Sequence, residues 1–323
     1  MDWRAERDRA LLVLEREKRP QARAEAAAVL IELAEEDLLR AAEFSGGLTR
    51  LLADAQAEVR RSGVRLGVLV LPPTEVAGML TARLSDADAG VRLEATGQIA
   101  DLALPELHGA LAPMLEDPSP EVRFEAARGM AALKHSAGLE ILVKALDNDL
   151  LRFRALGALG ELGDTRALPA VKRLFGKWLL PHFERTQTAG VLARLGEAEG
   201  AAYLLKRTQK KWSVDRALAV ELCGEVKAPG ALERLREILE DPKDLCRGAA
   251  ARGLGLLGDP KALPWLLALL EDTHAHEDFR LDAAEGLWRL GLPEGHARVR
   301  AAVPTFTSPE AREELAELLQ EKP

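Results

Sequence analysis

The sequence has few of the features that identify disulfide-rich, membrane-spanning or secreted proteins. Its two cysteines cannot build a disulfide framework, and its longest uncharged apolar stretches have nine residues, about half the length of a membrane-spanning helix. The first residues are too charged for a signal peptide. We therefore expect a reduced, cytoplasmic protein that makes no membrane contact.

Positive charge is also in short supply. The 323 residues include 44 lysines and arginines against 52 aspartates and glutamates, which gives a net charge of −8. A surface built throughout to hold nucleic acid would be basic, so only a local basic patch is compatible with this balance. Hydrophobic residues make up 47% of the chain and can bury a sizeable core, which argues against wholesale disorder.

A recurring arginine is the strongest feature that the sequence does have. It returns about every 32 residues, followed by small and apolar residues at helical spacing and then by a second apolar helix. Apolar positions nowhere alternate with period two, so each unit is predicted to be two helices and a turn, without strands. The nine arginines are Arg23, Arg60, Arg92, Arg123, Arg152, Arg185, Arg216, Arg247 and Arg280.

An aspartate stands six residues before four of these arginines: Asp54, Asp86, Asp117 and Asp241. Because both residues recur from unit to unit, they are predicted to brace the structure rather than to form a single site. The chain resembles the HEAT-repeat family, particularly the short bacterial HEAT-like units also found in phycobilin lyase subunits. The resemblance covers roughly residues 23–303. The motifs that carry it are Asp117-Pro118 with Val122-Arg123, Asp241-Pro242 with Arg247, and Leu162-Gly163-Asp164.

The resemblance implies that the arginine helix lines a concave face, that the other helix lines the convex face, and that aspartate and arginine brace neighbouring turns. A single helical pair cannot bury its apolar face, so pairs must stack into a continuous core. We predict an all-α fold, a right-handed α-solenoid of about nine HEAT-like helical pairs in one domain over residues 1–323. Such a scaffold serves many partners, so the fold says little about function.

Both ends are predicted to be capping helices. Residues 1–19 form the first, with Leu11, Leu12 and Leu14 on its apolar side, and residues 20–304 hold the repeats. Residues 305–323 form the second, which opens on Ser308 as N-cap and Pro309 as first helical residue, and ends near residue 320.

Two patterns that could signal chemistry have structural explanations. The run Gly253-x-Gly255-x-x-Gly258 matches a dinucleotide-binding fingerprint by letter, but it lies inside an arginine helix with no strand before it. We therefore expect these glycines to permit close helix packing, and we expect no cofactor. Cys223 and Cys246, predicted within helices of adjacent repeats, have no histidine near them in sequence and are expected to be small buried apolar residues rather than catalytic thiols.

A polar turn in the ninth repeat, with His274, His276, Glu277 and Asp278, holds residue types that bind zinc or iron. HEAT-like deoxyhypusine hydroxylases, which this chain resembles in repeat type, hold a two-iron centre with several His-Glu pairs from different repeats. This sequence has one such pair, so an exposed polar turn without metal is expected, with a structural metal as the alternative.

One departure from the repeat involves a pair of basic segments. Residues 172–178 are matched 34 positions later by residues 206–212, and both replace the acidic turn found in other units. Between residues 172 and 216 there are ten basic and four acidic residues, so the remainder of the chain carries −14. Stacking would place both segments on one edge, which we call the basic ridge. Its predicted partner-binding members are Lys172, Arg173, Lys177, Trp178, His182, Lys206, Arg207, Lys210, Lys211 and Trp212.

Two explanations of the ridge stay open. Cations at a helix C-terminus interact favourably with the helix dipole, and each tryptophan could fill a widened turn. Alternatively, the ridge is a positive patch suited to an acidic protein segment or to phosphates. The chain would then be a non-catalytic protein-interaction scaffold that holds its partner in a concave groove and along the ridge.

The sequence gives less support to two other functions. A nucleic-acid-binding protein resembling alkylpurine DNA glycosylases would need positive charge across many repeats, whereas here two repeats carry it. A role as a bilin lyase partner is supported only by the type of repeat.

Overall fold

The computed structural model describes residues 2–320, apart from the side chains of Leu38 and Leu39. Throughout that part of the chain the regular elements are helices and none is a strand, which confirms the predicted all-α class. The residues group into two compact units, one ending at Leu162 and one beginning at Gly163. The single domain over residues 1–323 stays a prediction, and residues 1 and 321–323 of its capping segments lie outside the described residues.

The first unit contains ten α-helices within the described residues. They are α1 (Trp3–Arg16), α2 (Pro20–Glu36), α3 (Leu48–Leu52), α4 (Ala57–Val70), α5 (Pro73–Arg83), α6 (Ala89–Leu102), α7 (His108–Leu111), α8 (Pro120–Ala132), α9 (Leu139–Ala145) and α10 (Arg152–Leu162). Short 3-10 helices cover Leu38–Gly47, Pro105–Leu107, Ala112–Glu116 and Ser136–Gly138.

The second unit contains ten more between residues 163 and 320. They are α11 (Leu168–Phe175), α12 (His182–Arg194), α13 (Ala198–Arg207), α14 (Arg216–Glu225), α15 (Ala231–Glu240), α16 (Arg247–Leu257), α17 (Leu263–Glu271), α18 (Glu277–Leu290), α19 (Pro293–Ala302) and α20 (Pro309–Leu318). Its 3-10 helices cover Thr165–Ala167, Pro260–Ala262 and Val303–Thr305.

Within each unit the helices stack in the manner of a solenoid. The even-numbered helices carry the repeat arginines, and each packs on the next even-numbered helix, from α2 to α10 and from α12 to α20. In the second unit the odd-numbered helices α15, α17 and α19 form a second layer of the same kind. Each repeat therefore buries its apolar face against its neighbours, which confirms the predicted stacking of helical pairs.

Glycines bring the arginine helices of the second unit into backbone contact. A Cβ added at Gly224 in α14 would lie 1.9 Å from the backbone oxygen of Gly253, and one at Gly255 would lie 2.4 Å from that of Gly286. The packing interpretation of the glycine run is thus confirmed for its first two glycines. The third, Gly258, ends α16 with φ +74°, where a residue without a Cβ is favoured.

The predicted brace is present, and it explains the six-residue spacing. The guanidinium of Arg60 donates to the backbone oxygen of Asp54, six residues earlier, and forms a bidentate ion pair with Asp86 of the next repeat. One arginine thereby ties the end of the preceding helix to the following turn. The other ion pairs of this pattern are Arg23 with Asp54, Arg92 with Asp117, and Arg216 with Asp244.

Two details of the arginine series differ from the prediction. Asp241 is not the bracing aspartate of its turn, because Arg216 binds Asp244 while Asp241 accepts a hydrogen bond from the backbone of Lys243. A tenth repeat arginine was missed: Arg312 in α20 donates to the oxygen of Phe306, again six residues earlier. The helix around it begins as predicted, with Ser308 accepting a hydrogen bond from the backbone of Ala311.

Two further predictions are corrected. Leu12 is 45% exposed and does not belong to the apolar side of α1, because successive residues turn about 100° around a helix and the buried positions are Ala10 and Leu14. Cys246 is the N-cap of α16 rather than a residue within a helix. None of the helices found in residues 2–320 is long and apolar enough to cross a membrane.

Candidate interaction surface

The basic segments lie where α11 and α13 end and in the turns that follow. Each of these helices buries one apolar side, for example with Leu174 in α11 and Leu204 in α13, and exposes its lysines. The turns lead into α12 and α14, which pack on each other, so the segments occupy equivalent positions of neighbouring repeats. A shallow depression brings together His182 from the first repeat and Lys210, Lys211 and Trp212 from the second.

These turns are wider than those of the first unit. Arg60 reaches a carbonyl six residues earlier, whereas Arg216 reaches the oxygen of Thr208, eight residues earlier, and Arg185 reaches that of Phe175, ten residues earlier. The arginine fixes both ends of the turn, so the additional two or four residues loop out toward solvent. The looped-out residues include Lys177 and Trp178 of the first turn and Lys210, Lys211 and Trp212 of the second, whereas the other basic residues before them lie in α11 and α13.

Both ridge tryptophans stand in solvent. The side chain of Trp178 is 87% exposed and that of Trp212 is 94% exposed. The explanation in which each ring fills a widened turn is therefore wrong for this structure. The helix-dipole explanation does fit two pairs of ridge residues, since Lys172 and Arg173 end α11 and Lys206 and Arg207 end α13.

The ridge cations differ in how strongly they are held. Lys172 contacts Glu197 at 2.7 Å between Nζ and a carboxylate oxygen, and Lys211 contacts Asp241 at 3.6 Å. Arg173 and Lys177 are exposed. Lys206 and Lys210 are also exposed, and neither forms an ion pair with any residue that the structure describes. Their ammonium groups are the most available to a partner.

Arg207 has a structural task. Its guanidinium binds the carboxylate of Asp215 at 2.7 and 2.8 Å, and the same carboxylate accepts hydrogen bonds from Thr186 and Ser213. Burial alone would raise the pKa of Asp215, but the hydrogen bonds from Arg207, Ser213 and Thr186 outweigh it and hold that pKa well below its usual range. Arg207 thus lines the depression while it fixes the turn that presents Trp212.

The polar turn of the ninth repeat is engaged in local contacts. Glu277 accepts hydrogen bonds from the backbone N–H groups of Thr307 and Ser308, which lower its pKa. His276 caps α18, because its Nδ1 accepts a hydrogen bond from the backbone of Asp278. Within residues 2–320, no three histidine, cysteine, aspartate or glutamate side chains are grouped so that they could hold a metal ion.

The cysteines are buried, as expected. Cys223 in α14 is fully enclosed, and burial raises the pKa of its thiol to about 12. Burial also raises the pKa of Cys246 above its ordinary value. Neither environment favours the thiolate that a nucleophile requires.

Sequence reasoning missed a set of exposed apolar residues in these turns and in the turn before α16. Leu179, Val214 and Leu245 are each more than 80% exposed. The available signal was their position: Val214 and Leu245 both stand two residues before a repeat arginine, where a helix start is usually polar.

Comparison with known proteins gives a repeat family and structural neighbours. No curated protein matches the chain. A chain of the CpcE and CpcF complex of phycocyanin lyase from Nostoc sp. PCC7120 is 19% identical over 75% of this chain and 93% of its own, with a TM-score of 0.47. Human deoxyhypusine hydroxylase is 19% identical over 76% and 95%, with a TM-score of 0.32. Yeast importin-beta (Kap95p) is 11% identical over 98% and 51%, with a TM-score of 0.44.

The classification follows from the repeat model and not from these distant structures. The model of HEAT repeats matches residues 76–154, 110–178 and 202–288, which together are more than half of the chain. Between Asp86 and Arg280, the matched stretches contain the bracing aspartates and every repeat arginine except Arg185. The chain belongs to the HEAT-repeat family.

Proposed function

We propose that the protein is a non-catalytic interaction scaffold that binds a protein partner with an acidic segment, using its concave groove and the basic ridge. The observation that carries the proposal is the exposure of Trp178 and Trp212 beside exposed lysines on neighbouring repeats. A soluble chain gains nothing in folding from an indole that stays in water, whereas tryptophan is enriched among interface residues whose truncation costs about 2 kcal/mol or more.

The charge distribution supports a partner of negative charge. The ridge is a local excess of positive charge on a chain of net charge −8. Complementary charge mainly raises the rate of encounter and selects the partner, while the aromatic rings supply contact area. Because Lys172, Arg207 and Lys211 already contact carboxylates of the chain itself, Lys206 and Lys210 are expected to contribute most to recognition.

Nucleic-acid binding is the second candidate, favoured by the same exposed tryptophans, on which bases could stack. Its weakness is the small number of available cations. Affinity for a phosphate backbone grows with the number of phosphates neutralised, and the ion pairs of Lys172, Arg207 and Lys211 reduce that number further. Any such binding is expected to be weak and to disappear at physiological salt.

Capture of partners by charge-reversed variants tests the proposal. The ridge variant carries Lys206→Glu and Lys210→Glu, and the matched control carries Lys144→Glu and Lys261→Glu, two exposed lysines outside the ridge. Each protein is immobilised, exposed to extract of the source cells and washed at physiological salt, and the bound proteins are identified by mass spectrometry. The helical circular dichroism of both variants must equal that of the wild type.

We expect proteins that bind the wild type and the control but not the ridge variant. If the ridge variant retains every partner, the ridge does not recognise them. A gel-shift titration with duplex DNA at low and physiological salt distinguishes the second candidate, because a shift that persists at physiological salt would favour nucleic acid over protein.

A further inference from the structure

An exposed apolar residue recurs at one position of successive repeats in the second unit. Phe183, Val214 and Leu245 each stand two residues before the repeat arginine and are 42%, 90% and 83% exposed. In the first unit Leu150 occupies the same position and is 88% exposed. The other repeats place Gln21, Glu58, Gly90, Glu121, Asp278 and Glu310 there.

The bracing residues hold these side chains outward. Asp215 and Arg216, which follow Val214, are buried: Asp215 pairs with Arg207 at the end of α13, and Arg216 pairs with Asp244 of the next turn. Leu245 lies between Asp244 and Cys246, which are also buried. The backbone on either side is therefore fixed, and neither apolar side chain can turn into the core without breaking the brace.

Other apolar side chains of the widened turns extend the row. Trp178 and Leu179 precede Phe183, and Trp212 precedes Val214. Helices α12, α14 and α16, which these turns enter, pack on one another in that order. We call the row the apolar stripe: Trp178, Leu179, Phe183, Trp212, Val214 and Leu245. Single exposed apolar residues are ordinary, but a row of them at equivalent repeat positions marks a surface that another molecule covers.

Lysines of the same turns give the stripe its charge. Lys177, Lys210, Lys211 and Lys243 are exposed in the turns before α12, α14 and α16. Packed helices lie 8–10 Å apart, and an extended chain advances about 3.3–3.6 Å per residue. Every third residue of an extended segment therefore advances by about one repeat, and the residues between can carry carboxylates of charge opposite to the lysines.

We propose that the apolar stripe binds an extended, acidic protein segment that has a bulky apolar side chain at about every third residue. The inference rests on the proposed function, for which it names the chemistry of the partner. Apolar contact with Val214 and Leu245 supplies affinity, and the lysines exclude segments without acidic residues.

A synthetic probe separates this proposal from the basic ridge. The probe is a fluorescein-labelled peptide of four Phe-Glu-Asp units, and the control peptide has serine in place of each phenylalanine. Both are titrated with the wild type, with Val214→Ser/Leu245→Ser, with Lys177→Glu/Lys210→Glu and with Leu12→Ser, which removes an exposed leucine of the first unit. Fluorescence anisotropy at physiological salt reports binding, and circular dichroism confirms folding.

We expect the wild type and Leu12→Ser to bind the phenylalanine peptide equally, and Val214→Ser/Leu245→Ser to bind it at least about tenfold more weakly. The serine peptide should bind as weakly to the wild type. Suppose that the serine peptide binds as tightly as the phenylalanine peptide, that the stripe variant binds as tightly as the wild type, and that the lysine variant does not bind. The stripe proposal is then wrong, and the basic ridge alone recognises the peptide.

Other outcomes also decide between the two proposals. Loss in the stripe variant without loss in the lysine variant would leave the apolar contact but overturn the ridge and the acidic character of the partner. No binding of the phenylalanine peptide to the wild type would overturn the stripe. So would self-association of the wild type that Val214→Ser/Leu245→Ser abolishes in analytical ultracentrifugation, because a second copy would then cover the surface.

Discussion

The ion pair between Arg216 and Asp244 gives the sharpest prediction about stability. Both side chains are less than 5% exposed, and two bonds of 2.6 and 2.7 Å join the guanidinium to the carboxylate. The remaining guanidinium nitrogen, Nε, donates to the oxygen of Thr208 at 2.6 Å. Replacing Arg216 by methionine keeps an unbranched apolar stem but removes the guanidinium, which leaves the Asp244 carboxylate buried without its counter-ion.

The cost is expected to lie near the lower end of the range for a broken buried pair, at about 3 kcal/mol. Asp244 keeps one compensating hydrogen bond, from the backbone of Cys246 at 2.9 Å, which lowers the cost of leaving it charged. The matched control is Arg166→Met. It breaks the ion pair between Arg166, which is largely exposed, and Asp164. Exposed pairs contribute about 0–1 kcal/mol, so the control should unfold close to the wild type.

Urea unfolding followed by circular dichroism measures the difference in the free energy of unfolding between the two variants. Amide hydrogen exchange shows which helices lose stability. Because repeat arrays need not unfold in one step, we expect protection to fall first in α14 and α16, which the pair connects. The double variant Arg216→Met/Asp244→Leu removes both charges and should regain most of the lost stability. If Arg216→Met unfolds within about 0.5 kcal/mol of Arg166→Met, the buried pair does not hold neighbouring repeats together.

Four further predictions follow from single residues. Gly224→Ala should destabilise the chain by about 1–3 kcal/mol in urea unfolding because of its clash with a neighbouring backbone, whereas Gly97→Ala, with open space around its Cβ, should stabilise it by about 0.5–1 kcal/mol; equal effects would contradict the packing. The lowered pKa of Asp215 makes its contribution to stability complete above the ordinary pKa near 4 and lost as the pH falls further, so Asp215→Asn should flatten the stability profile below pH 4; an unchanged slope would contradict this. Cys223, with its pKa raised to about 12, should react with iodoacetamide at pH 8 only after unfolding, and rapid native labelling would show that it is not enclosed. Trp212→Phe should remove much of the fluorescence that iodide quenches, and an unchanged quenching curve would place that indole inside.

The repeat architecture could be predicted because it leaves a periodic trace in the sequence. An arginine that must reach a carbonyl six residues earlier and an aspartate of the next turn can stand at only one position of each repeat, as Arg60, Asp54 and Asp86 illustrate. Stacking likewise fixes small and apolar residues at helical spacing, because every repeat must bury the same side of its helices against its neighbours. These constraints are local, so the sequence alone predicts them.

The details of the widened turns could not be predicted. A fixed six-residue rule assigned the bracing role to Asp241, but the turn before α16 is two residues longer and Asp244 takes the role. Arg207 looked like one of several equivalent ridge cations, and only the fold brings it to Asp215. The exposure of Val214 likewise depends on how the bracing of Asp215 directs the backbone, which no periodicity encodes.

Site-specific photo-crosslinking tests most directly whether the widened turns of the second unit contact a protein. A benzoylphenylalanine replaces Trp212 in one variant and Lys261, an exposed residue at the opposite end of α16 from the widened turn before it, in the other. After irradiation in the source cells, the account predicts a discrete protein adduct at position 212 and none at position 261. No adduct at position 212, the same adducts at both positions, or an adduct that nuclease removes would contradict it.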